Sequence, residues 1–185
     1  MENKTFSFGA GIEAIIPEDK LKQGTKLYMA GPLGFAESSK SFHAKVMEVV
    51  KLMGGEILDP WVLTDATKIQ RVLKIPLSVD AKKAWEELND EIGANNMHAI
   101  EQATGIIAVL DGVDVDSGTA TEIGYAYSRG IPILGYRGDT RLSRDNLGGN
   151  VNLQVEYFIN HSGGSRGKVI TKISELPSEL LKIWG

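Results

Sequence analysis

The stretch from Gly105 to Arg137 constrains the fold of this 185-residue chain more than any other. It opens with a short apolar run, residues 105–110, whose β-branched side chains are typical of a buried parallel strand. After an acidic loop a helical pattern begins at Thr119, and residues 131–136 predict a second strand. Strand, helix and strand in this order form a βαβ unit. Its strand-to-helix loop lies where open α/β sheets bind ligands.

The loop and helix start after the first of these strands carry two notable carboxylates, Asp116 and Glu122. The spacing Thr119-x-x-Glu122 is that of a capping box, in which Glu122 would only bond the backbone N–H of Thr119. Asp116 would likewise only bond nearby backbone. The alternative is functional. The free N–H groups of a helix's first turn keep a carboxylate ionised, and an ionised carboxylate in a ligand cleft suits attack on the anomeric carbon of a sugar.

Two motifs give the chain a resemblance to a known family. One is DSGTATEIGYA at residues 116–126, and the other is KLYMAGPLGF at residues 26–35. In this order they resemble the signature of the nucleoside 2-deoxyribosyltransferase family, over roughly residues 26–173. The resemblance implies a pentosyltransferase of nucleotide salvage that needs no cofactor or metal. Glu122 would attack C1′ of a 2′-deoxynucleoside and hold the sugar as an ester until a free purine or pyrimidine base, or water in a side reaction, takes it.

Short apolar runs alternate with helical patterns along the chain, which predicts an α/β fold. We expect a flavodoxin-like (Rossmann-like) three-layer sandwich with a five-stranded parallel sheet, and the resemblance implies the same architecture. The switch point would lie between the first and third strands, which brings the loop at residues 28–34 beside that at 116–122. The strands are expected at residues 27–30, 56–59, 105–110, 131–136 and 168–170.

Helix boundaries are suggested by caps and apolar periodicity. Ser38 or Ser39 is a candidate N-cap for the helix after the first strand, and Asn152 begins a late helix. Residues 80–102 are expected to form one long helix, with a possible interruption at a glycine near its middle. The segment at residues 60–76 is expected to be irregular.

The chain has the length of one domain, and the resemblance assigns residues 26–185 to a nucleoside 2-deoxyribosyltransferase-like domain. Residues 1–25 form an N-terminal extension that is too apolar, at Phe6, Phe8 and Ile12, for a disordered tail. We expect this extension to pack on the body of the protein or on a neighbouring subunit.

Further site residues follow from the resemblance. Tyr28 would lie near the nucleophile and the sugar, Asp116 would bind the 5′-hydroxyl, and Gly118 belongs to the same loop motif. Asn152 matches an Asn that family members contribute from a neighbouring subunit, so a homo-oligomer with shared active sites is expected. Family members carry an Asp, which protonates the leaving base, where this chain has Asn96. An amide is no acid, although Asn96 can still hydrogen-bond a base edge.

Gly31 and Trp61 each have a structural and a functional interpretation. Gly31 either permits the geometry of a turn or lets a sugar approach the backbone closely. Tryptophan is more often a core or edge residue than a ligand platform. A nucleobase nevertheless needs a flat apolar partner, and Trp61 follows a strand on the ligand side of the expected sheet. We count both residues as candidates for substrate binding.

Composition narrows the function classes that remain. The chain has no cysteine, which excludes disulfides, thiolate metal sites and cysteine nucleophiles. Its net charge of −4 and its lack of a long basic run argue against binding nucleic acid or a membrane surface. No apolar stretch reaches transmembrane length or resembles a signal peptide, so a cytoplasmic location is expected. The histidines show no metal-ligand spacing: His43, His98 and His161.

Two rival functions stay open. In a (deoxy)nucleoside 5′-monophosphate N-glycosidase, water would replace the acceptor base, and the serines at 38–39 and arginines of the polar loop at residues 137–150 would bind phosphate. That loop is expected to be a mobile lid with its arginines in solvent: Arg137, Arg141 and Arg144. The second rival is a non-catalytic nucleotide-binding module in which Glu122 only caps its helix.

Overall fold

The computed structural model describes residues 4–141 and 147–185. These residues form a two-stranded hairpin and a five-stranded parallel sheet of order β4-β3-β5-β6-β7, with the strands defined as follows. They are β1 (Lys4–Gly9), β2 (Ile12–Ile16), β3 (Lys26–Ala30), β4 (Glu56–Leu58), β5 (Gly105–Val109), β6 (Ile133–Tyr136) and β7 (Lys168–Ile170). The first parallel strand, β3, lies between the second, β4, and the third, β5, as the flavodoxin-like arrangement predicts.

Helices cover both faces of this sheet. They are α1 (Glu37–Leu52), α2 (Pro60–Leu63), α3 (Ala66–Leu73), α4 (Val79–Gln102), α5 (Ser117–Ser128), α6 (Leu153–Asn160), the single turn α7 (Ser162–Ser165) and α8 (Leu176–Trp184). One face packs against α1 and α8 and the other against α4, α5 and α6, so the three-layer sandwich is confirmed. Among the helices of the described residues, none combines the length and apolar composition of a membrane span.

The central strands are apolar at nearly every position because both of their faces are buried. Along β3, Leu27 and Met29 face the layer of α1 and α8, whereas Tyr28 and Ala30 face the layer of α4 and α5. The two-residue period of the strand therefore points the Tyr28 ring, which is fully buried, towards the helix that follows β5.

The N-terminal extension folds as the antiparallel hairpin β1–β2. Its turn contains Gly9, Ala10 and Gly11, which all have positive φ values of 94°, 51° and 76°. Phe8 and Ile16 are buried in the same apolar cluster as α1 and α8. The expectation that this extension packs on the body of the protein is confirmed.

The start of α1 differs from the expectation, and the length of α4 agrees with it. Neither Ser38 nor Ser39 caps α1, which begins after Ala36 without a side-chain cap. The Ser39 hydroxyl instead donates to the carbonyls of Leu33 and Ala36, which ties the helix to the preceding turn. α4 runs without a break from residue 79 to residue 102.

The expectation of an irregular segment at residues 60–76 is wrong, because α2 and α3 occupy most of it. Asp59 accepts a hydrogen bond from the backbone N–H of Trp61 at 3.1 Å and starts α2. Asp65 starts α3 in the same way through Thr67, at 2.8 Å. Both helices are short, and each has an aspartate as its N-cap. They were not predicted because neither is long enough to show a clear apolar periodicity.

Candidate active site

A cleft of about 380 Å³ opens beside the carboxyl ends of β3 and β5, where the strand order reverses. Its volume is that of a small-molecule site, and its position is where ligands bind to sheets of this type. Six residues predicted for the site line it: Gly31, Trp61, Asn96, Asp116, Gly118 and Glu122. Tyr28 lies beneath it, and Asn152 is not among its lining residues.

Glu122 is held by Tyr28 rather than by the backbone of its own helix. The Tyr28 hydroxyl donates a hydrogen bond to Glu122 Oε1 at 2.6 Å. The capping box predicted from Thr119-x-x-Glu122 is therefore wrong. Thr119 lies within α5, and the Glu122 side chain reaches across to β3.

The N-cap residue of α5 is Asp116, not Thr119. Its Oδ2 accepts hydrogen bonds from the backbone N–H of Thr119 at 3.0 Å and from the Thr119 hydroxyl at 3.2 Å. The helix consequently begins three residues earlier than the capping box implies, and Glu122 falls beyond its first turn and beyond the free N–H groups there. The prediction that Asp116 bonds nearby backbone is confirmed.

Burial raises the pKa of Glu122 to about 7, because the carboxylate loses most of its contact with water. The hydrogen bond from Tyr28 lowers this pKa, and the negative charge of Asp116 raises it. The expectation that the helix start keeps Glu122 permanently ionised is therefore wrong. Burial and the charge of Glu122 also raise the pKa of Tyr28, so its phenol keeps its proton and remains a donor.

Two glycines that line the cleft are closely packed at the position where a Cβ would lie. Gly31 has a φ of 152°, and a Cβ there would lie 3.2 Å from the Cβ of Val109. Both the turn geometry and the close approach thus favour glycine at this position. A Cβ at Gly118 would lie 3.1 Å from Asp116 Oδ2, the oxygen that caps the N-terminus of α5.

Aromatic rings form one wall of the cleft. Trp61 and Phe35 meet edge to face, with ring centroids 4.6 Å apart, and Phe35 remains 77% exposed. The Trp61 ring also lies directly over Gly34, where a Cβ would come within 2.1 Å of it. The structure brings Trp61 to the cleft, and Phe35 is a lining residue that the sequence analysis missed.

The opposite wall is a stripe along α4. Asn89, Ile92 and Asn96 recur at helical spacing and all line the cleft. Asn95, next to this stripe, donates its Nδ2 to the hydroxyl of Thr64 at 3.0 Å and so links α4 to the end of α2. The amide of Asn96 makes no such bond, and its buried Oδ1 has no hydrogen-bond partner among the described residues.

His43 and Asp59 form a buried pair behind the aromatic wall. His43 Nε2 lies 3.2 Å from Asp59 Oδ2, at an angle outside hydrogen-bond geometry. The other carboxylate oxygen of Asp59 accepts a hydrogen bond from the backbone N–H of Trp61 and so caps the N-terminus of α2. The pair therefore helps to fix the helix that presents the tryptophan. No role was predicted for His43 from the sequence, because no local spacing connects it to Asp59.

Asn152 begins α6, as expected. Its Oδ1 accepts hydrogen bonds from the backbone N–H groups of Gln154 at 2.9 Å and Val155 at 3.4 Å. The residue is half-buried and outside the cleft of its own chain. On the same helix Leu153 and Tyr157 remain more than half exposed.

The expectation that Arg137 lies in solvent is wrong, since it is only 3% exposed. Its Nη1 donates to the carbonyl of Leu110 at 2.5 Å and its Nη2 to the carbonyl of Arg141 at 3.0 Å. The carboxylate of Asp111 accepts two backbone N–H groups, at residues 138–139, from the same loop. These bonds tie the loop after β6 to the loop after β5.

The predicted phosphate ligands that the structure describes do not line the cleft. Arg141 is exposed and pairs with Asp139. Arg144 lies outside the described residues. Among those described, no group of His, Asp and Glu side chains is arranged to hold a metal ion. A larger hollow, about 510 Å³, lies on the exposed side of α3 and contains no carboxylate.

A family model described as nucleoside 2-deoxyribosyltransferase matches residues 27–162, which is most of the chain. No curated protein matches the chain. Among solved structures, a conserved protein from Enterococcus faecalis V583 is similar at 22% identity with a TM-score of 0.60, covering 85% of this chain and 98% of that one. A 2-deoxyribosyltransferase from Leishmania mexicana is similar at 21% identity with a TM-score of 0.57, covering 85% and 97%. These likenesses show the fold.

Proposed function

This chain belongs to the nucleoside 2-deoxyribosyltransferase family, and we propose that it transfers 2-deoxyribose between nucleobases through a covalent deoxyribosyl ester on Glu122. Its substrates are 2′-deoxynucleosides and free purine or pyrimidine bases. The observation that carries the proposal is the position of Glu122, in the cleft at the switch point with a buried phenol donating to its carboxylate.

The first half of the reaction is attack by Glu122 on C1′. Tyr28 engages Oε1, which orients the carboxylate and leaves Oε2 free of that bond. The new bond joins a carboxylate oxygen to C1′, and the electron pair of the C1′–N bond leaves with the base. The transition state resembles an oxocarbenium ion, so a carboxylate close to it is stabilising before any bond is complete. The missing 2′-hydroxyl makes a deoxy sugar easier to ionise.

The second half is attack on the ester by another base, which gives a new nucleoside with retained configuration. Water in place of the base releases free deoxyribose as a side reaction. We assign the aromatic wall of Trp61 and Phe35 to stacking on the base. Asp116 is assigned to the 5′-hydroxyl, for which its Oδ1 remains available because Oδ2 is engaged at the start of α5.

Gly31 and Gly118 line the cleft without side chains, which supports binding of the sugar against the backbone. We assign Asn152 to the site of a neighbouring subunit in a homo-oligomer. Its distance from its own cleft is compatible with this role, and the exposed Leu153 and Tyr157 beside it offer apolar surface to a partner. Unphosphorylated nucleosides suffice in this proposal, because Ser39 and Arg137 do not line the cleft and donate instead to backbone carbonyls.

Product separation after incubation with a deoxynucleoside tests the proposal. With deoxyadenosine and a second base, we expect the deoxynucleoside of that second base. With deoxyadenosine alone, mass spectrometry of the denatured protein should find a deoxyribosyl group on the peptide that contains Glu122. Absence of base release from deoxyadenosine and from deoxynucleosides of more acidic bases would exclude the transferase, and a strict need for a 5′-phosphate without base exchange would favour the N-glycosidase.

Glu101→Ala is the matched control for Glu122→Ala in this experiment. Glu101 also accepts a tyrosine hydroxyl, that of Tyr125 at 2.7 Å, but the pair is exposed and outside the cleft. Glu122→Ala should lose both transfer and labelling, whereas Glu101→Ala should keep both.

A further inference from the structure

The base that leaves C1′ must accept an electron pair, and the described residues that line the cleft offer few groups that could protonate it. Of the described residues that line the cleft, those with ionisable side chains are Asp116 and Glu122. Glu122 is the proposed nucleophile, and Asp116 is assigned to the 5′-hydroxyl through Oδ1 while its Oδ2 caps the start of α5. Tyr28, beneath the cleft, donates its only proton to Glu122. The base side of the cleft is thus built from aromatic, apolar and amide groups and the hydroxyl of Thr64.

Of the described amides that line the cleft, Asn89 is exposed and Asn96 is half-buried. The Asn96 side chain lines the cleft, while its Oδ1 is buried and has no partner in the part of the chain that the structure describes. With Oδ1 turned inward, the amide offers its Nδ2 donor to the cleft. The neighbouring Asn95 is different, since its Nδ2 is taken by Thr64.

The buried Oδ1 of Asn96 indicates that this residue is kept for function rather than for stability. An unpartnered buried acceptor destabilises a fold, and a leucine of similar size would remove it. Positions at which a sequence departs from the most stable choice are concentrated at functional sites.

We propose that the leaving base departs unprotonated, as an anion that accepts a hydrogen bond from Asn96 Nδ2, and that the enzyme thereby selects nucleosides of bases with an acidic ring N–H. This inference rests on the proposed transferase function. A carboxylate oxygen of Glu122 bonds to C1′, the C1′–N pair moves onto the base, and water protonates the base after release. The charge of −1 passes from Glu122 to the base, so the step is balanced.

The same constraint applies to the second half of the reaction. The acceptor base must lose its ring N–H proton to solvent as its nitrogen attacks the ester. Donor and acceptor bases are therefore both drawn from those that are stable as anions, such as purines with electron-withdrawing substituents. A hydrogen-bond donor at Asn96 helps each of them, because it stabilises negative charge on a ring atom without transferring a proton.

A series of purine 2′-deoxyribosides of similar size but different ring N–H acidity tests the inference. Deoxyadenosine, its 2-fluoro analogue and 6-chloropurine 2′-deoxyriboside form such a series. Single-turnover base release should accelerate with acidity in the wild-type protein. Asn96→Asp supplies an acid, so at the same pH it should release the least acidic base faster than the wild-type protein, by up to about 10²–10⁴-fold, and the rates across the series should become more nearly equal.

Two further variants separate this role from a structural one. Gln102→Glu adds the same charge at an exposed position of α4 outside the cleft and should leave the series unchanged. Asn96→Leu should raise Tm but weaken binding of the free bases, a combination that a structural role would not produce. Equal rates across the wild-type series, or no response to Asn96→Asp, would overturn the inference and leave the transferase standing. Failure to cleave any of the three nucleosides would overturn both.

Discussion

Tyr28 and Glu122 lie 94 positions apart in the chain and meet in a 2.6 Å hydrogen bond in which the phenol donates to the carboxylate. Burial of Glu122 raises its pKa to about 7, and the bond from Tyr28 opposes that rise. The carboxylate is thus divided between its protonated and ionised forms near neutral pH. Because only the ionised form can attack C1′, the activity should depend on pH and on the hydrogen bond that Tyr28 donates.

The rate of deoxyribosyl transfer should fall as the pH is lowered through about 7. Protonation of Glu122 removes the nucleophile, and kcat/KM reports the pKa of the free enzyme. The measurement is kcat/KM for base exchange between about pH 5 and about pH 9. A profile that stays flat down to the ordinary carboxyl range, near the unperturbed value of 4.5, would contradict the buried, poised carboxylate.

Tyr28→Phe should shift this acidic limb to higher pH. The Tyr28 hydrogen bond lowers the pKa of Glu122, so its loss makes the carboxylate harder to ionise. Tyr125→Phe is the control, because it removes a comparable tyrosine–glutamate bond from an exposed position. An unchanged limb in Tyr28→Phe, or an equal shift in both variants, would show that the bond does not tune Glu122.

Glu122→Gln should stabilise the folded protein at alkaline pH. The folded state holds the Glu122 proton more tightly than the unfolded chain, so the free energy of unfolding decreases as pH rises from about 4.5 to about 7. Glutamine cannot ionise and avoids this loss, which amounts to at most roughly 3 kcal/mol. Denaturant titrations should find the gain at pH 8 and little of it at pH 5. A gain that does not depend on pH would rule out this linkage.

Local patterns in the sequence were sufficient to predict the sheet, but they were insufficient to predict the contacts around Glu122. Apolar runs predict all five parallel strands, most clearly β3, β5 and β6 in the middle of the sheet, which are buried on both faces. The edge strands β4 and β7 each begin with an exposed charged residue, Glu56 and Lys168. The predicted start of α5 was wrong. Asp116 and Thr119 are both favourable N-cap residues, and only the folded structure shows that Asp116 is the one used. The Tyr28–Glu122 and His43–Asp59 pairs join separate elements, so no spacing could reveal them.

The cleft was predicted only in part for the same reason. The motifs identify Glu122, Asp116 and Gly31, which all line it. Phe35 and Ile92 were missed as lining residues, because apolar side chains at a cleft look like core residues in a sequence. The raised pKa of Glu122 depends on burial by distant elements, so its position in a helical motif suggested the opposite charge state.

Asn152→Ala and Glu122→Ala should each be inactive and should rescue one another after subunit exchange. Asn152 lies outside the cleft of its own chain, and the proposed function assigns it to the site of a neighbour. A mixed oligomer then contains some interfaces at which an intact Glu122 meets an intact Asn152. Mixing the two variants under conditions of proven exchange should therefore restore part of the base-exchange activity. Asn160→Ala, an exposed residue at the end of α6, is the control and should be active alone. A fully active monomer by light scattering, or no rescue despite exchange, would show that Asn152 does not complete a shared site.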